Sequence, residues 1–111
     1  MSLVWVYHGN EYRRASDLSP NQVMLMINGG CDGVRQLINY VINNVLSVSN
    51  YRSASARIYR GNDEYLIHFL INLASGSEEA IILVSRNPAD TLFNYYTSTS
   101  SENIIECSYG K

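Results

Sequence analysis

The sequence has little charge and no surplus of basic residues. Eight Lys and Arg stand against ten Asp and Glu in 111 residues, which gives a formal net charge of −2 at pH 7. Proteins that bind duplex nucleic acid usually carry a basic surplus clustered on one surface. The composition therefore argues against nucleic acid as a partner.

Long apolar runs are also absent. No stretch approaches the roughly eighteen consecutive apolar residues of a transmembrane helix, so the sequence predicts no membrane association. The N-terminal segment is short and becomes polar beyond Val6, which does not fit a signal peptide, although a trimmed mature form is an open alternative. We therefore expect a cytoplasmic protein.

Cysteine is scarce, with only Cys31 and Cys107. Their wide spacing fits neither a CxxC motif nor a disulfide-rich scaffold. We expect two reduced thiols, with one long-range disulfide in a secreted protein as the alternative. Cys31 precedes a predicted helix and is the most reactive-looking side chain, but no Cys-His motif surrounds it. The cysteines and the two histidines, His8 and His68, share no ligand spacing, so no catalytic residue, metal or cofactor is predicted.

The apolar residues that are present make up 46% of the chain and are spread along its whole length. This predicts one domain, residues 1–111, with its own core. Alternation and turn residues predict strands at Leu3–His8, Glu11–Arg14, 55–60, 64–73, 80–85 and 103–109. The fold class expected is α+β, an antiparallel sheet of about five to six strands with two consecutive helices packed on one face.

Three helices are predicted. Ser19, followed by Pro20 and Gln22, forms a capping box that begins a helix over Pro20–Asn28. Asp32 is expected to cap a second helix over 32–48. Asn87-Pro88 predicts a third, short helix through about residue 96, and a strand over 91–97 is the competing interpretation.

The second helix is the most informative segment. Its apolar residues recur at three- and four-residue steps and form one stripe: Val34, Leu37, Ile38, Val41, Ile42, Val45 and Leu46. We expect this stripe to lie on the face of strand 64–73 that begins with Tyr65. The opposite side of the helix carries a single charge, Arg35. Amide and hydroxyl groups dominate that side, and they bind a partner without the desolvation cost of buried charge.

These features favour a non-enzymatic protein-protein interaction domain, a small acidic binder, inhibitor or immunity-type protein that occludes a partner's surface. The partner is another protein or a second copy, so a homodimer is possible. The candidate binding residues on the second helix are Asn39, Tyr40, Asn43 and Asn44. Tyr95, Tyr96 and the loop 97–101 form a second candidate patch, because Tyr is enriched at interfaces.

Two alternatives stay open. One is an oligomer that sequesters a small, nucleotide-like ligand, with Arg13, Arg14 or Arg57 gripping an anion. The other is a metal-independent, RNase-like toxin that uses scattered acid, base and cationic groups on a sheet. The residues available for it are His8, Glu11, Arg13, Arg57, Arg60, Glu64 and His68. For His68, which lies mid-strand, a hydrogen-bonded packing role is the simpler interpretation.

Overall fold

A single antiparallel sheet of six strands forms the frame of the protein. The computed structural model describes residues 1–98 and 104–110. In the spatial order β2-β1-β5-β4-β3-β6, the strands are β1 (Leu3–His8), β2 (Glu11–Arg14), β3 (Ser53–Arg60), β4 (Tyr65–Leu73), β5 (Gly76–Ser85) and β6 (Ile104–Gly110).

The helices lie on both faces of this sheet. Helices α1 (Pro20–Asn28) and α2 (Gly30–Val41) follow each other directly, contact one another and cover one face. Helix α3 (Pro88–Thr97) connects β5 to β6 and covers part of the opposite face. The predicted α+β class, with an antiparallel sheet and two consecutive helices packed on one face, is confirmed.

Strand alternation divides the apolar side chains into two cores. Because neighbouring residues of a strand point to opposite faces, β4 sends Ile67, Phe69 and Ile71 toward α1 and α2. The apolar stripe of α2 packs on this set, as predicted. The second, smaller core lies under α3 and contains Tyr59, Leu66, Ile81, Leu83 and Tyr95.

The start of α1 agrees with its predicted capping chemistry. The Ser19 side chain accepts from the backbone N–H of Gln22, whose own side chain accepts from the Ser19 N–H. Two of the helix's unpaired N–H groups are satisfied in this way. At the other end, Arg60 donates to the carbonyl of Ile27 at 2.9 Å, which places a cation at the negative end of the helix dipole.

The predicted start of the second helix is wrong. Its N-cap is Gly29 rather than Asp32, no side chain caps it, and the helix begins at Gly30. Gly30 allows this, because it takes a φ of 65° and turns the chain from α1 directly into α2. Regular α-helix ends at Val41 and continues as one π-helical segment, Ile42–Leu46, so helical structure ends two residues before the predicted 48.

Residues 88–97 form a helix, so the competing strand interpretation is wrong. The Asn87 side chain accepts from the N–H of Asp90, and Pro88 occupies the first helical turn, where it needs no N–H partner. Thr91, which is fully buried, donates to the carboxylate of Glu64 at 2.9 Å. This bond attaches α3 to the hairpin between β3 and β4.

Two strands are longer than predicted. β3 begins at Ser53 rather than at residue 55, and β5 begins at Gly76 rather than at residue 80. The first residues of β5 are polar and exposed, and therefore look like a turn in the sequence, but they pair in register with β4 through Leu73↔Gly76. Of the predicted final strand, Asn103 lies outside the described residues.

The expectation of two reduced thiols is wrong, because Cys31 and Cys107 form a disulfide across a sequence separation of 76. Cys31 lies in the first turn of α2 and Cys107 faces inward from β6, with 5.5 Å between their Cα atoms. The Tyr109 hydroxyl also donates to the Cys31 carbonyl at 2.6 Å. The edge strand β6 is therefore fastened to α2 by a covalent bond and a hydrogen bond.

None of the helices in the part of the chain described has the length and apolar character needed to span a membrane.

Candidate binding cleft beside helix α3

One row of side chains crosses all six strands on the α3 face of the sheet. Pairing registers place these residues side by side, and their side chains therefore share a face. In spatial order the row is Tyr12, Tyr7, Ile81, His68, Arg57 and Glu106. The adjacent row, which contains Leu66 and Leu83, is covered by α3. The row of six thus marks the border between the covered and the open half of this face.

Helix α3 meets this border through Tyr95. The Tyr95 side chain is 3% exposed, and its hydroxyl lies 2.9 Å from Nδ1 of His68. Its ring stands edge-on to the His68 ring, with 5.7 Å between the centroids. Burial raises the pKa of Tyr95, so its hydroxyl keeps its proton at neutral pH. Tyr95 is a packing residue that positions α3 rather than an exposed contact.

Both ring nitrogens of His68 are hydrogen bonded. Nδ1 faces the Tyr95 hydroxyl, and Nε2 lies 3.2 Å from Oε1 of Glu79. Burial lowers the pKa of His68, and the Glu79 carboxylate opposes this only in part. In the neutral ring, the Tyr95 hydroxyl donates to Nδ1 and the Nε2 hydrogen goes to Glu79. No nitrogen of His68 is then left to exchange a proton with a substrate, which fits the packing role.

Arg57, the cation in this row, interacts with two neighbouring side chains. Nε of Arg57 lies 3.3 Å from Oε1 of Glu106 on the adjacent edge strand. The same guanidinium stands 5.7 Å from the centre of the Tyr95 ring, within reach of a cation–π contact. Arg57 is therefore engaged within the sheet and is a weak candidate for gripping a ligand anion.

A cleft of about 340 Å³ opens next to the row, between α3, the β1–β2 turn and the start of β5. Tyr7 and Tyr96 form its aromatic walls, and Gly9 and Asn10 of the turn form one end. Tyr12 packs on Tyr7 with 4.7 Å between the ring centroids. The Tyr96 side chain is 61% exposed, so much of its ring is available for contact.

Two carboxylates border this cleft, one on each face of β5. Glu79 lies on the α3 face beside His68, and Glu78 lies next to His8, with 3.8 Å between its Oε2 and Nε2 of His8. Both side chains are more than half exposed. Aromatic faces and carboxylates both attract cations, so the cleft is suited to a basic group and unsuited to a phosphate.

The candidate residues on α2 and the segment after it are partly engaged in internal contacts. The Tyr40 hydroxyl donates to Asp17 at 2.9 Å, and burial together with this bond raises the pKa of Tyr40. The Asn44 side chain donates to the Tyr40 carbonyl, and Arg13 donates to the Asn44 carbonyl. Asn39 and Asn43 are exposed. The helix face is therefore partly occupied in holding β2 and the loop after it.

The two predicted patches are not brought together. The Asn39–Asn44 patch lies on the α1 and α2 side of the sheet, whereas Tyr95 and Tyr96 lie on the opposite side. Tyr95 is buried, so only Tyr96 is left as a contact residue of the second patch. Of the predicted loop 97–101, residues 99–101 lie outside the described residues.

The residues proposed for RNA cleavage are dispersed and engaged elsewhere. Arg60 donates to Ile27 beside α1, and Arg13 donates to Asn44 on the other face. Glu64 accepts hydrogen bonds from three side chains, and these are Tyr59, Thr91 and Asn94. A general acid and base must reach the same phosphate, and this distribution gives that mechanism no support.

The residues that sequence reasoning missed are Tyr7, Tyr12, Glu78 and Glu79. The last two look like a solvated turn in the sequence because polar residues surround them. The abundance of Tyr, nine in the chain, was a usable signal, but it could not say which rings lie together. Their proximity depends on the pairing Tyr7↔Tyr12 and on the position of α3, both of which are tertiary features.

No protein-family model, curated protein or solved structure matches this chain. Over residues 1–98 and 104–110, no group of three or more His, Cys, Asp and Glu side chains is arranged to hold a metal ion.

Proposed function

We propose that this chain is a non-enzymatic protein-protein interaction domain that binds its partner with the face bearing the cleft beside α3. The observation that carries the proposal is the grouping of Tyr7 and Tyr96 with the Glu79 carboxylate at an open part of the sheet, where Tyr12 packs on Tyr7. Tyr supplies a large, rigid contact surface at a low cost in conformational entropy, and it is enriched at the centres of interfaces.

A second exposed aromatic residue supports this choice of face. Phe93 lies on α3 three residues before Tyr96, so the two share one side of the helix, and it is 67% exposed. By contrast, the hydroxyl of Tyr40 on the α2 side already donates a hydrogen bond to Asp17. The α3 side therefore offers more aromatic surface to a partner than the helix face that the sequence favours.

The disulfide favours an oxidising compartment as the place where binding occurs. Disulfides persist in secreted and periplasmic proteins and are rare in the cytosol, where thiols are kept reduced. The cytoplasmic location expected from the sequence stays an untested prediction. Mass measurement of the native protein after blocking of free thiols discriminates between an oxidising and a cytoplasmic compartment. Cys31 and Cys107 react with the blocking reagent, and the mass increases, only when they are reduced.

Affinity capture with matched variants tests the proposal. Wild-type protein, the cleft variant Tyr12→Ser/Tyr96→Ser and the opposite-face variant Asn39→Ala/Asn43→Ala are immobilised and exposed to an extract of the source organism. The proposal expects one protein that is retained by wild type and by the opposite-face variant and lost from the cleft variant. All four substituted side chains are exposed, so folding should be preserved.

Two results contradict the proposal. Loss of the captured protein from the Asn39→Ala/Asn43→Ala variant alone moves the binding face to α2. A homo-oligomer with extra bound mass in native mass spectrometry, and no captured protein, favours the small-ligand sequestering alternative.

A further inference from the structure

Strand β5 extends beyond its neighbour β1 and leaves a free edge. The two strands pair from Leu3↔Ser85 to Tyr7↔Ile81, and β1 then ends at His8. β5 continues to Gly76 and pairs there with β4 only. His8, the last residue of β1, lies opposite Ala80, and among the described residues no strand pairs with Ser77–Glu79 beyond it. A free edge presents N–H and C=O groups that can accept another strand.

This edge is the floor of the cleft described above. Ser77, Glu78, Glu79 and Ala80 all line it, with Tyr7 and the turn at one end and Tyr96 above. An extended segment placed against Ser77–Glu79 would continue the line of β1. It would also lie in contact with the two tyrosine rings.

The side chains of the edge specify the charge of such a segment. Glu78 and Glu79 are consecutive in β5, so they point to opposite faces of the sheet. Residues placed directly opposite them in an added strand lie on the same faces, where opposite charges stabilise the pairing and like charges oppose it. A second copy of this edge would place Glu against Glu and is disfavoured. Two consecutive basic residues match the pattern.

We propose that Ser77–Glu79 binds an extended, basic segment of the partner as an added β-strand. The inference rests on the proposed function and names the chemistry of the partner. Backbone hydrogen bonds would supply affinity, and the alternation of side chains would supply specificity. Tyr7 and Tyr96 would contact the aliphatic and cationic parts of the basic side chain opposite Glu79, which lies on their face of the sheet.

Charged residues on an edge also have a protective role, because they prevent association between sheets. Protection and strand binding make different predictions for a basic peptide, whose charge is opposite to that of the edge. A protective edge repels every added strand, whereas a receptor edge binds the basic one and slows amide exchange in β5.

The test uses the peptide acetyl-Thr-Val-Arg-Arg-Val-Thr-amide and the ¹⁵N-labelled full-length protein. We expect saturable shift changes and slowed hydrogen exchange at amides within Ser77–Glu79, with little change at helix α2. Two control peptides separate the contributions. In one, Glu replaces both Arg; in the other, the Arg backbone nitrogens are methylated, which keeps the charges and removes the N–H donors.

Matched protein variants complete the test. Glu78→Gln/Glu79→Gln should weaken binding by about tenfold, since two opposite-charge pairs are lost. Asp32→Asn removes a carboxylate on the opposite side of the sheet and should leave binding unchanged. Both changes are at exposed positions, so the fold should persist.

Three results overturn the inference. They are an absence of saturable shifts, equal binding of the acidic peptide, and equal binding of the methylated peptide. In each case the capture experiment with Tyr12→Ser/Tyr96→Ser still reports on the proposed function by itself. Failure of this strand addition is therefore distinguishable from failure of protein binding at this face.

Discussion

The hydroxyl of Tyr95 lies 2.9 Å from Nδ1 of His68, and this contact joins α3 to the centre of the sheet. It fixes the position of α3 beside the row of six side chains that contains His68. Tyr96, the next residue, is thereby placed over the open end of β5, with 5.0 Å between the centroids of the two tyrosine rings. The buried residue of this pair positions the helix, and the exposed residue forms the cleft wall.

Removal of the Tyr95 hydroxyl should destabilise the protein modestly. Tyr95→Phe keeps the ring but leaves Nδ1 of His68 without its partner, at an expected cost of about 1 kcal/mol. Urea unfolding measures the change. Tyr96→Phe is the matched control, because its side chain is largely exposed, and it should stay within about 0.5 kcal/mol of wild type. Equal effects of the two changes would mean that the hydrogen bond contributes nothing.

Stability should fall as the pH drops through the ordinary His range. Burial lowers the pKa of His68 below its usual 6.5, so the unfolded chain binds this proton more readily than the folded one. The free energy of unfolding therefore decreases from about pH 7.5 to about pH 5.5. His68→Gln should show a smaller decrease between these two pH values, measured by urea unfolding. A steeper decrease in the variant would contradict the sign of the shift.

Reduction of the disulfide should be costly. Cys31 and Cys107 close a long loop, with a sequence separation of 76, and loop entropy predicts a contribution of about 4 kcal/mol. Unfolding with and without a reducing agent measures it. Cys31→Ser/Cys107→Ser should match the reduced protein and should not respond to the reducing agent. Unchanged stability of the wild-type protein on full reduction would mean that the bond does not constrain the unfolded chain.

The contact between α1 and α2 should tolerate only glycine at position 33. A Cβ built at Gly33 would lie 2.0 Å from the carbonyl oxygen of Met26, a backbone atom that cannot move independently. Gly33→Ala should cost about 1–3 kcal/mol by forcing the helices apart. Gly110→Ala is the control, because its added Cβ has no atom within 4 Å among the described residues other than its chain neighbours. Similar unfolding midpoints for both variants would contradict the close approach of the helices.

Local chemistry made much of the fold predictable. The bounds of β1, β2 and α1 follow from turn residues and from the capping box at Ser19, all of which act within a few residues. The sheet face that receives α2 also follows from alternation in β4. These features are properties of short segments, so the sequence displays them directly.

Features that depend on distant residues were not predictable. The disulfide requires the first turn of α2 to lie beside β6, which no local pattern reveals. The free edge of β5 is a difference in length between two strands that are neighbours only in space. The cleft was predictable only in part. The abundance of tyrosine is evident in the sequence, but the contacts that bring these rings together depend on distant residues.

Photo-crosslinking at Tyr96 directly tests whether the partner binds through the cleft beside α3. The protein carries p-benzoylphenylalanine in place of Tyr96, or in place of Asn43 as the opposite-face control, and is irradiated in an extract of the source organism. Binding through the cleft predicts one crosslinked partner at the Tyr96 position and none at the Asn43 position. A partner crosslinked at Asn43 alone would contradict binding through the cleft beside α3.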